Sequence, residues 1–309
     1  MLFPLLFALI PIIQVGMPLY LIYRLWKSNF ELKVNWTVSF VHFLLLLATL
    51  FFVFRWDVIG YGLRYWLNTF FLIAALSSFL QVKDLPTYNS KKMKLSWGKI
   101  SEILLFVVIL LWSLLGTGTK QKKLDLTYPL KGETNYVIHG GSTIALNYHG
   151  IADQQKYALD IVKLNDWGFR AEGLFPKQLH KYSIFGKTVY SPLSGTIVDA
   201  KDSLPDQIPP KTVSEQPTGN HIWIKKDSLY IVLAHLKQGS IKVEKGDKIE
   251  ANQPIAEVGN TGNTTEPHLH IHGVKIPKNE NPKPDSLLYK GKATPLTFNG
   301  KFLIRNTTF

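Results

Sequence analysis

The sequence predicts a chain in two parts: an α-helical membrane region with four transmembrane helices, followed by an all-β domain of antiparallel strands. Three observations support this prediction. Four long apolar stretches lie near the start of the 309-residue chain, hydropathy falls after Gly116, and short β-rich runs bounded by turn residues fill the remainder. The predicted boundaries are 1–118 for the membrane region and 119–309 for the β domain.

The membrane region is predicted from the length of its apolar stretches. Each is about long enough to cross a hydrocarbon core roughly 30 Å thick. Arg64 near the start of the third stretch leaves Tyr65–Leu80 as its apolar core. The first stretch lacks a basic start and contains Pro4, Pro11 and Pro18, which argues against a cleaved signal peptide. The four stretches are Phe3–Trp26, Trp36–Phe54, Tyr61–Leu80 and Ile100–Leu115.

Loop charge predicts the orientation of these helices, because cytoplasmic loops are enriched in Lys and Arg. The loop between the second and third helices holds only Arg55 and Arg64, with Asp57 beside them. The other two loops are the basic ones, with Arg24, Lys27 and Lys33 in the first and Lys83, Lys91, Lys92, Lys94 and Lys99 in the third. Both chain ends are therefore predicted to lie outside. Lys120, Lys122 and Lys123 oppose this, but they open a long domain, where the rule weakens.

Composition narrows the possible chemistry. The chain contains no cysteine, which excludes disulfides, thiolate zinc ligands and a cysteine nucleophile. The formal net charge of +13 suits an anionic partner such as a cell wall, and serves equally well as a general solubility charge. Nucleic acid is not expected as a partner outside a cell. The helices hold few ionisable residues, mainly His42, so they are predicted to be an anchor or a partner-binding bundle.

The β domain is predicted from runs such as "TVYSPLSGTIVDA", "NHIWIKK" and "LYIVLAHL", which are rich in β-branched and aromatic residues. No strong helical period follows Leu115, and the pattern favours a sandwich of antiparallel strands. Alternation along residues 230–236 would place Ile231, Leu233 and His235 on one face. The polar, Pro-rich segment 202–220 is predicted to be a long loop.

The stretch "PHLHIHG", residues 267–273, carries the clearest chemical signal. His268, His270 and His272 stand at every second position, so a strand would direct all three to one face. Neutral imidazole is the commonest metal ligand, and a metal site needs at least one further ligand from elsewhere. Asp160 lies in the apolar run Tyr157–Val162, where a charged group needs a partner or a metal. His149 precedes it. Two histidines and a carboxylate with an open position for water form a hydrolytic zinc arrangement.

The run from "VYSPLSGTIV" through "LAHL" to "VEKGDKIEANQPIAEVGNTGNTTEPHLHIHG" resembles the lysostaphin/LytM-type zinc metallopeptidases. The resemblance covers about residues 132–275, and the block Gly246–His270 is its most specific part. It implies a groove in an antiparallel β-sheet, one zinc ion and cleavage of peptides, most often the stem or bridge peptides of peptidoglycan. Carried over to this chain, it implies that His270 and Asp160 are zinc ligands and that His235 and His268 are catalytic.

The first zinc ligand departs from the family pattern. The family has His-x-x-x-Asp, but the residue four before Asp160 is Lys156, and a literal match exists only from His149 to Asp153. Either His149 reaches the metal beside Asp160, or His149 and Asp153 are the pair. We favour Asp160, because Asp153 lies in the polar run "ADQQK". A site that binds metal poorly is a third possibility. His272 also departs, since the family more often has an acidic residue there.

The leading hypothesis is therefore a membrane-anchored zinc endopeptidase that acts outside a bacterial cell and has a multi-pass membrane region. Its zinc ion would be held by His149, Asp160 and His270. The expected partners are a peptide or peptidoglycan substrate, the lipid bilayer and, through the helices, another membrane protein. The alternative is an inactive binding or regulatory module on the same anchor. A transporter or sensor gated by the outer domain is a third hypothesis.

Overall fold

The computed structural model of the chain describes residues 9–93, 95–132, 134–277 and 291–309. The chain divides into two compact units, Met1–Leu114 and Leu115–Phe309. The start of the first predicted stretch, Phe3–Ala8, and Lys94 of the third loop lie outside the described residues.

The first unit consists of long apolar helices, whose bounds differ from the predicted stretches by a few residues. By length and composition each is able to cross a membrane. The first contains a π-helical section, Ile12–Gly16, between Pro11 and Pro18. Proline lacks the amide hydrogen that a helix interior needs, which accounts for the irregular hydrogen bonding there. The helices are α1 (Leu9–Lys27), α2 (Lys33–Val53), α3 (Leu63–Val82) and α4 (Trp97–Leu115).

Two polar contacts link separate parts of this unit. His42 of α2 lies with its Nε2 atom 2.8 Å from Oε2 of Glu102 on α4, although sequence analysis did not single out Glu102. After α2, Arg55 pairs with the fully buried Asp57, and the side chain of Gln14 donates a hydrogen bond to the Arg55 carbonyl at 2.8 Å. The buried Asp57 therefore has an opposite charge beside it, as burial requires.

The second unit is built around one main antiparallel sheet. The strands are β1 (Leu124–Leu126), β2 (Asn135–His139), β3 (Leu159–Lys163), β4 (Thr188–Tyr190), β5 (Gly195–Lys201), β6 (Asn220–Lys226), β7 (Leu229–Leu236), β8 (Lys248–Ile249), β9 (Pro254–Glu257), β10 (Leu269–Lys275), β11 (Lys292–Ala293) and β12 (Leu296–Phe298). Within the described residues the strand order of the main sheet is β2-β3-β10-β7-β6-β5-β8, and β11 pairs with β10. Two further sheets have two strands each, parallel β1 with β12 and antiparallel β4 with β9. The sequence pattern favoured a sandwich of antiparallel strands and the resemblance implied an antiparallel β-sheet; among the described residues one mostly antiparallel sheet dominates.

Residue alternation in the central strands separates an apolar core from a face that carries polar groups. Ile231, Leu233, Leu269 and Ile271 are all fully buried in the main core cluster. Each fully buried aliphatic side chain contributes about 1.5–3 kcal/mol relative to leaving it exposed. The intervening residues of β10, beginning with His270, point to the other face. The core thus fixes the register that brings the polar residues together.

His235 departs from the alternation predicted for its strand. Ile231 and Leu233 belong to the core, but the ring of His235 lies 4.7 Å from the ring of His268 and 5.8 Å from that of His270, measured between centroids. Its φ angle of 62° places it in the left-handed region, which non-glycine residues seldom adopt. This turn of the backbone moves the imidazole out of the core pattern and toward the polar face.

Candidate metal centre

A short turn, held by hydrogen bonds from the side chain of Asn147, places His149 beside the sheet. His149 lies on the 3₁₀ turn Tyr148–Ile151, before which Asn147 accepts a hydrogen bond from the His149 amide at 3.3 Å. The fully buried side-chain amide of Asn147 donates to the carbonyls of Gly141 at 3.1 Å and Ala158 at 2.9 Å. Ala158 immediately precedes β3, so this one side chain ties the turn to the strand that carries Asp160.

Asp160 is the centre of the cluster. In the sheet register it lies opposite His270, and both residues are buried. Its Oδ1 atom is 2.8 Å from Nδ1 of His270, and its Oδ2 atom is 2.9 Å from Nε2 of His149. Ligand atoms of these three residues all lie within 4.8 Å of one another. Two imidazole nitrogens and one carboxylate oxygen, with no thiolate, are a donor set that fits zinc with a further position open.

The electrostatics of the cluster favour an ionised carboxylate at Asp160 and a neutral imidazole at His270. Burial alone would raise the pKa of Asp160, but the charges of His149 and His268 and hydrogen bonds from His149 and His270 hold it well below its usual value. Burial also lowers the pKa of His270 despite its hydrogen bond to Asp160. Metal ligands must be deprotonated to bind. The lowered pKa of Asp160 and the lowered pKa of His270 therefore both favour binding of a cation.

Two further imidazoles share one anchoring arrangement. Nδ1 of His235 lies 2.8 Å from the carbonyl oxygen of Thr261, and Nδ1 of His268 lies 2.9 Å from that of Glu266. A carbonyl only accepts, so Nδ1 carries the proton and Nε2 keeps its lone pair in each neutral ring. Nε2 of His268 lies 3.6 Å from Oδ1 of Asp160. Burial holds the pKa of His235 well below its usual value, which keeps this ring neutral.

Asp153 and Lys156, which left the first zinc ligand open in the sequence, both lie outside the cluster. Asp153 is exposed on its own 3₁₀ turn, Asp153–Gln155, and is not a member of the cluster. Lys156 is also outside the cluster, and its Nζ atom lies 5.8 Å from the centroid of the Tyr157 ring. The structure therefore brings His149 together with Asp160, and their role as ligands stays a prediction.

The remaining histidines divide into buried and exposed ones. His272 is buried with its Nδ1 atom 2.9 Å from Nε2 of His270, and within the described part of the chain its own Nε2 has no hydrogen-bond partner. His221 is buried against Asp199, with 2.9 Å between Nε2 and Oδ2. His139 accepts a hydrogen bond from Arg305 at 2.7 Å, and His180 is exposed.

Sequence analysis missed a buried ion pair that adjoins this centre. Arg170 donates from Nε to Oε2 of Glu266 at 2.7 Å, and Glu266 lies two residues before His268. The partners are 96 residues apart, and no local pattern links them. A charged residue within an apolar run would have indicated a buried ion pair, but neither Arg170 nor Glu266 lies in such a run.

An open pocket of about 350 Å³ lies beside the cluster. One side is formed by the turn that carries His149, through Tyr148 and Ile151. Another is formed by Pro217 and Thr218, which belong to the loop predicted from the Pro-rich segment. His235 and His270 also line the pocket. Tyr148 and Ile151 are 49% and 76% exposed, so the pocket has an apolar edge that is open to a substrate.

Comparisons with known proteins find similarities within the β-rich unit. Residues 181–282 match the sequence model of Peptidase family M23, a range that contains His235, His268 and His270 but not His149 or Asp160. The peptidoglycan DD-endopeptidase ShyC of Vibrio cholerae is 33% identical in an alignment of 96 residues that covers 29% of this chain and 22% of ShyC. The chain thus matches less than a quarter of the length of that relative.

Solved structures are also similar to this chain. The crystal structure of the SpoIIIAH and SpoIIQ complex matches with a TM-score of 0.33 and 18% identity, over 48% of this chain and 92% of the other. The catalytic domain of the antimicrobial peptidase lysostaphin from Staphylococcus simulans matches with a TM-score of 0.24 and 23% identity, over 37% and 87%. The family match confirms the resemblance inferred from the sequence: residues 181–282, within the β-rich unit, are similar to Peptidase family M23.

Proposed function

We propose that this protein is a membrane-anchored, zinc-dependent endopeptidase that hydrolyses peptide bonds of peptidoglycan outside a bacterial cell. The observation that carries the proposal is the convergence of His149, Asp160 and His270 beside an open pocket. The anchored imidazoles of His235 and His268 lie next to this cluster. The family match supports a peptidase, and the ShyC relative supports peptidoglycan as the substrate.

One zinc ion would be held by His149, Asp160 and His270. A zinc ion in such a site supplies Lewis-acid polarisation of the scissile carbonyl and an acidified water. The chain supplies the setting: Asp160 stays ionised, and its two oxygens are each directed to one imidazole. Because β3 and β10 are hydrogen-bonded neighbours, two of the three ligands are held rigidly in the sheet.

His235 and His268 would move the protons of the reaction. With Nδ1 hydrogen-bonded to a backbone carbonyl, each ring presents a basic Nε2 atom. One Nε2 accepts a proton from the attacking water, and the resulting imidazolium later donates it to the departing amine. The second imidazole orients the water or the substrate oxygen. General acid–base groups of this kind typically contribute 10²–10⁴-fold in rate.

The helical unit supports the membrane assignment. Each helix has the length and composition to span a bilayer, and the loop charges predict that the β unit lies outside the cytoplasm. We propose a multi-pass protein in the bacterial cell membrane, with the lipid bilayer and, through the helices, a membrane protein as partners. A nucleic acid partner is not proposed.

The test uses the full-length chain purified in detergent. Metal content is measured by mass spectrometry, and digestion of purified peptidoglycan sacculi is followed by chromatography of the released muropeptides. We expect one zinc per chain and release of products by the wild type. The exposed His180 provides the matched control, so His180→Ala should behave as wild type while cleavage by His268→Ala falls by about 10²-fold to 10⁴-fold. Bound zinc without cleavage by the wild type would favour the inactive binding module instead.

A further inference from the structure

Arg170 and Glu266 form a buried ion pair that joins two distant parts of the β unit. Arg170 lies in the segment between β3 and β4, and only 1% of its surface is exposed. Its Nε atom donates to Oε2 of Glu266 at 2.7 Å. Taking two charges out of water is costly, and such a pair adds little net stability compared with an apolar one. Net stability therefore does not account for this pair, whereas a geometric role does.

Other contacts of Arg170 fix its side chain independently of Glu266. Its Nη2 atom donates to the carbonyl of Leu174 at 2.8 Å, and its guanidinium lies 5.1 Å from the centroid of the Phe175 ring and 6.0 Å from that of Tyr182. Its own carbonyl accepts a hydrogen bond from the amide of Ser183. The guanidinium is thus a fixed point against which the Glu266 carboxylate is positioned.

The other end of Glu266 meets the reacting histidine. The Glu266 carbonyl accepts a hydrogen bond from Nδ1 of His268 at 2.9 Å and another from the Thr264 hydroxyl at 2.8 Å. This carbonyl keeps the proton of His268 on Nδ1 and leaves Nε2 as the basic atom. A shift of Glu266 would release both the orientation and the tautomer of the ring.

We propose that Arg170 and Glu266 are positioning residues for His268. Arg170 holds the Glu266 side chain, which fixes the Glu266 carbonyl, which in turn fixes the imidazole. The proposal rests on the proposed function, in which Nε2 of His268 handles a proton. The pair links the segment between β3 and β4 to the site.

Two conservative substitutions test the pair. Glu266→Gln keeps the shape of the side chain and removes its charge, and Arg170→Lys keeps the charge and removes the planar fork. We expect kcat for peptidoglycan to fall between about 10-fold and 10²-fold in each, because small misplacement of a reacting group has effects of that size. KM and zinc content should not change. The control is Glu257→Gln, which removes a carboxylate from the half-exposed pair with Lys237.

A second measurement reports on the ring itself. The full chain is labelled with ¹⁵N-histidine in detergent, and the His268 signals are identified by their loss in His268→Gln. Wild type and Glu257→Gln should show a protonated Nδ1 and an unprotonated Nε2. Glu266→Gln and Arg170→Lys should show a mixture of the two tautomers. Unfolding temperature is measured on every variant to separate misfolding from mispositioning.

The outcomes are distinct. Unchanged kcat together with an unchanged His268 tautomer in both variants would overturn the proposal, and loss of zinc or of the folded state would show that the pair only maintains the structure. If the wild type cleaves nothing, the proposed function fails, and the nitrogen signals of His268 still decide whether Arg170 and Glu266 position the ring.

Discussion

His270 and Asp160 face each other across two hydrogen-bonded strands, with 2.8 Å between Nδ1 and Oδ1. The pairing follows from the antiparallel register of β3 and β10, in which the neighbouring residues Leu269 and Ile161 enter the core. A slip of one residue would bury His270 in the core and expose Ile271 on the polar face. The apolar residues therefore determine the geometry of the polar ones.

The first prediction concerns metal content. Asp160→Asn and His270→Ala should each reduce zinc from one per chain to almost none, because each removes one ligand atom of the buried cluster. Asp153→Asn is the matched control, since Asp153 is exposed and outside the cluster. Mass spectrometry of the purified full chain measures the metal. Loss of zinc in Asp153→Asn with retention in Asp160→Asn would transfer the ligand role to Asp153.

The second prediction separates catalysis from metal binding. His235→Ala and His268→Ala should retain zinc, because neither residue belongs to the metal cluster. The rate of peptidoglycan cleavage should fall by about 10²-fold to 10⁴-fold, the usual effect of losing a general acid–base or oxyanion-stabilising group. Rates of muropeptide release and zinc content are measured on the same samples. Equal rates in wild type and His268→Ala would exclude this site as the catalyst.

The third prediction concerns His272, which is buried and lies with Nδ1 2.9 Å from Nε2 of His270. Groups that hydrogen-bond to a ligand fix its orientation, and their loss typically lowers metal affinity about 10–100-fold. We expect His272→Ala to show a loss in that range, measured by competition with a chelator. His221→Ala, which removes a buried histidine paired with Asp199 instead, should leave the affinity close to wild type. An unchanged affinity in His272→Ala would contradict the prediction.

The fourth prediction concerns pH and stability. The hydrogen bond from His221, which outweighs the effect of burial, lowers the pKa of Asp199. Because the folded-state pKa is lowered, Asp199 contributes stability above its unfolded pKa of about 4, and this contribution is lost as pH falls through the folded-state value. Asp199→Asn should therefore destabilise the chain at neutral pH and much less at strongly acidic pH.

This fourth prediction is checked by thermal unfolding of the wild type and Asp199→Asn over a pH series. A chelator is present throughout, so that metal release does not contribute to the difference. A difference in unfolding temperature that stays constant from neutral to acidic pH would show that Asp199 does not act through its charge.

The fifth prediction concerns topology. Loop charges place both chain ends outside the cytoplasm. A tag at the C-terminus should therefore react with an impermeant label in intact cells whose outer barrier has been removed. A tag placed in the loop after α3 should react only after lysis. The reverse pattern would place the β unit in the cytoplasm, away from peptidoglycan.

The sequence predicted those features that depend on local pattern. The four helices follow from apolar length, and their bounds agree to within a few residues in the described part of the chain. The spacing of His268, His270 and His272 predicted a strand, and β10 begins at Leu269. The mostly antiparallel sheet also agrees with the prediction. In each case a periodicity of the chain maps directly onto one element.

Features that depend on the tertiary fold were beyond the reach of the sequence. The place of His235 depends on a positive φ angle that interrupts the strand alternation. The approach of His149 to Asp160, which we favoured over the literal His-x-x-x-Asp match to Asp153, depends on a short turn held by the buried amide of Asn147. The periodicity of the sequence predicts neither a positive φ angle at a single residue nor a contact made across a turn.

The cluster is assembled from parts of unequal rigidity. β10 is hydrogen-bonded to strands on both sides, so releasing His270 means opening the middle of the sheet. His149 lies on a turn outside the sheet, secured to its surroundings by the side chain of Asn147. Local opening events begin where few backbone hydrogen bonds must break, so amide hydrogens of this turn should exchange with solvent well before those of β10. The His149 side is thus the side from which a cation would enter and leave.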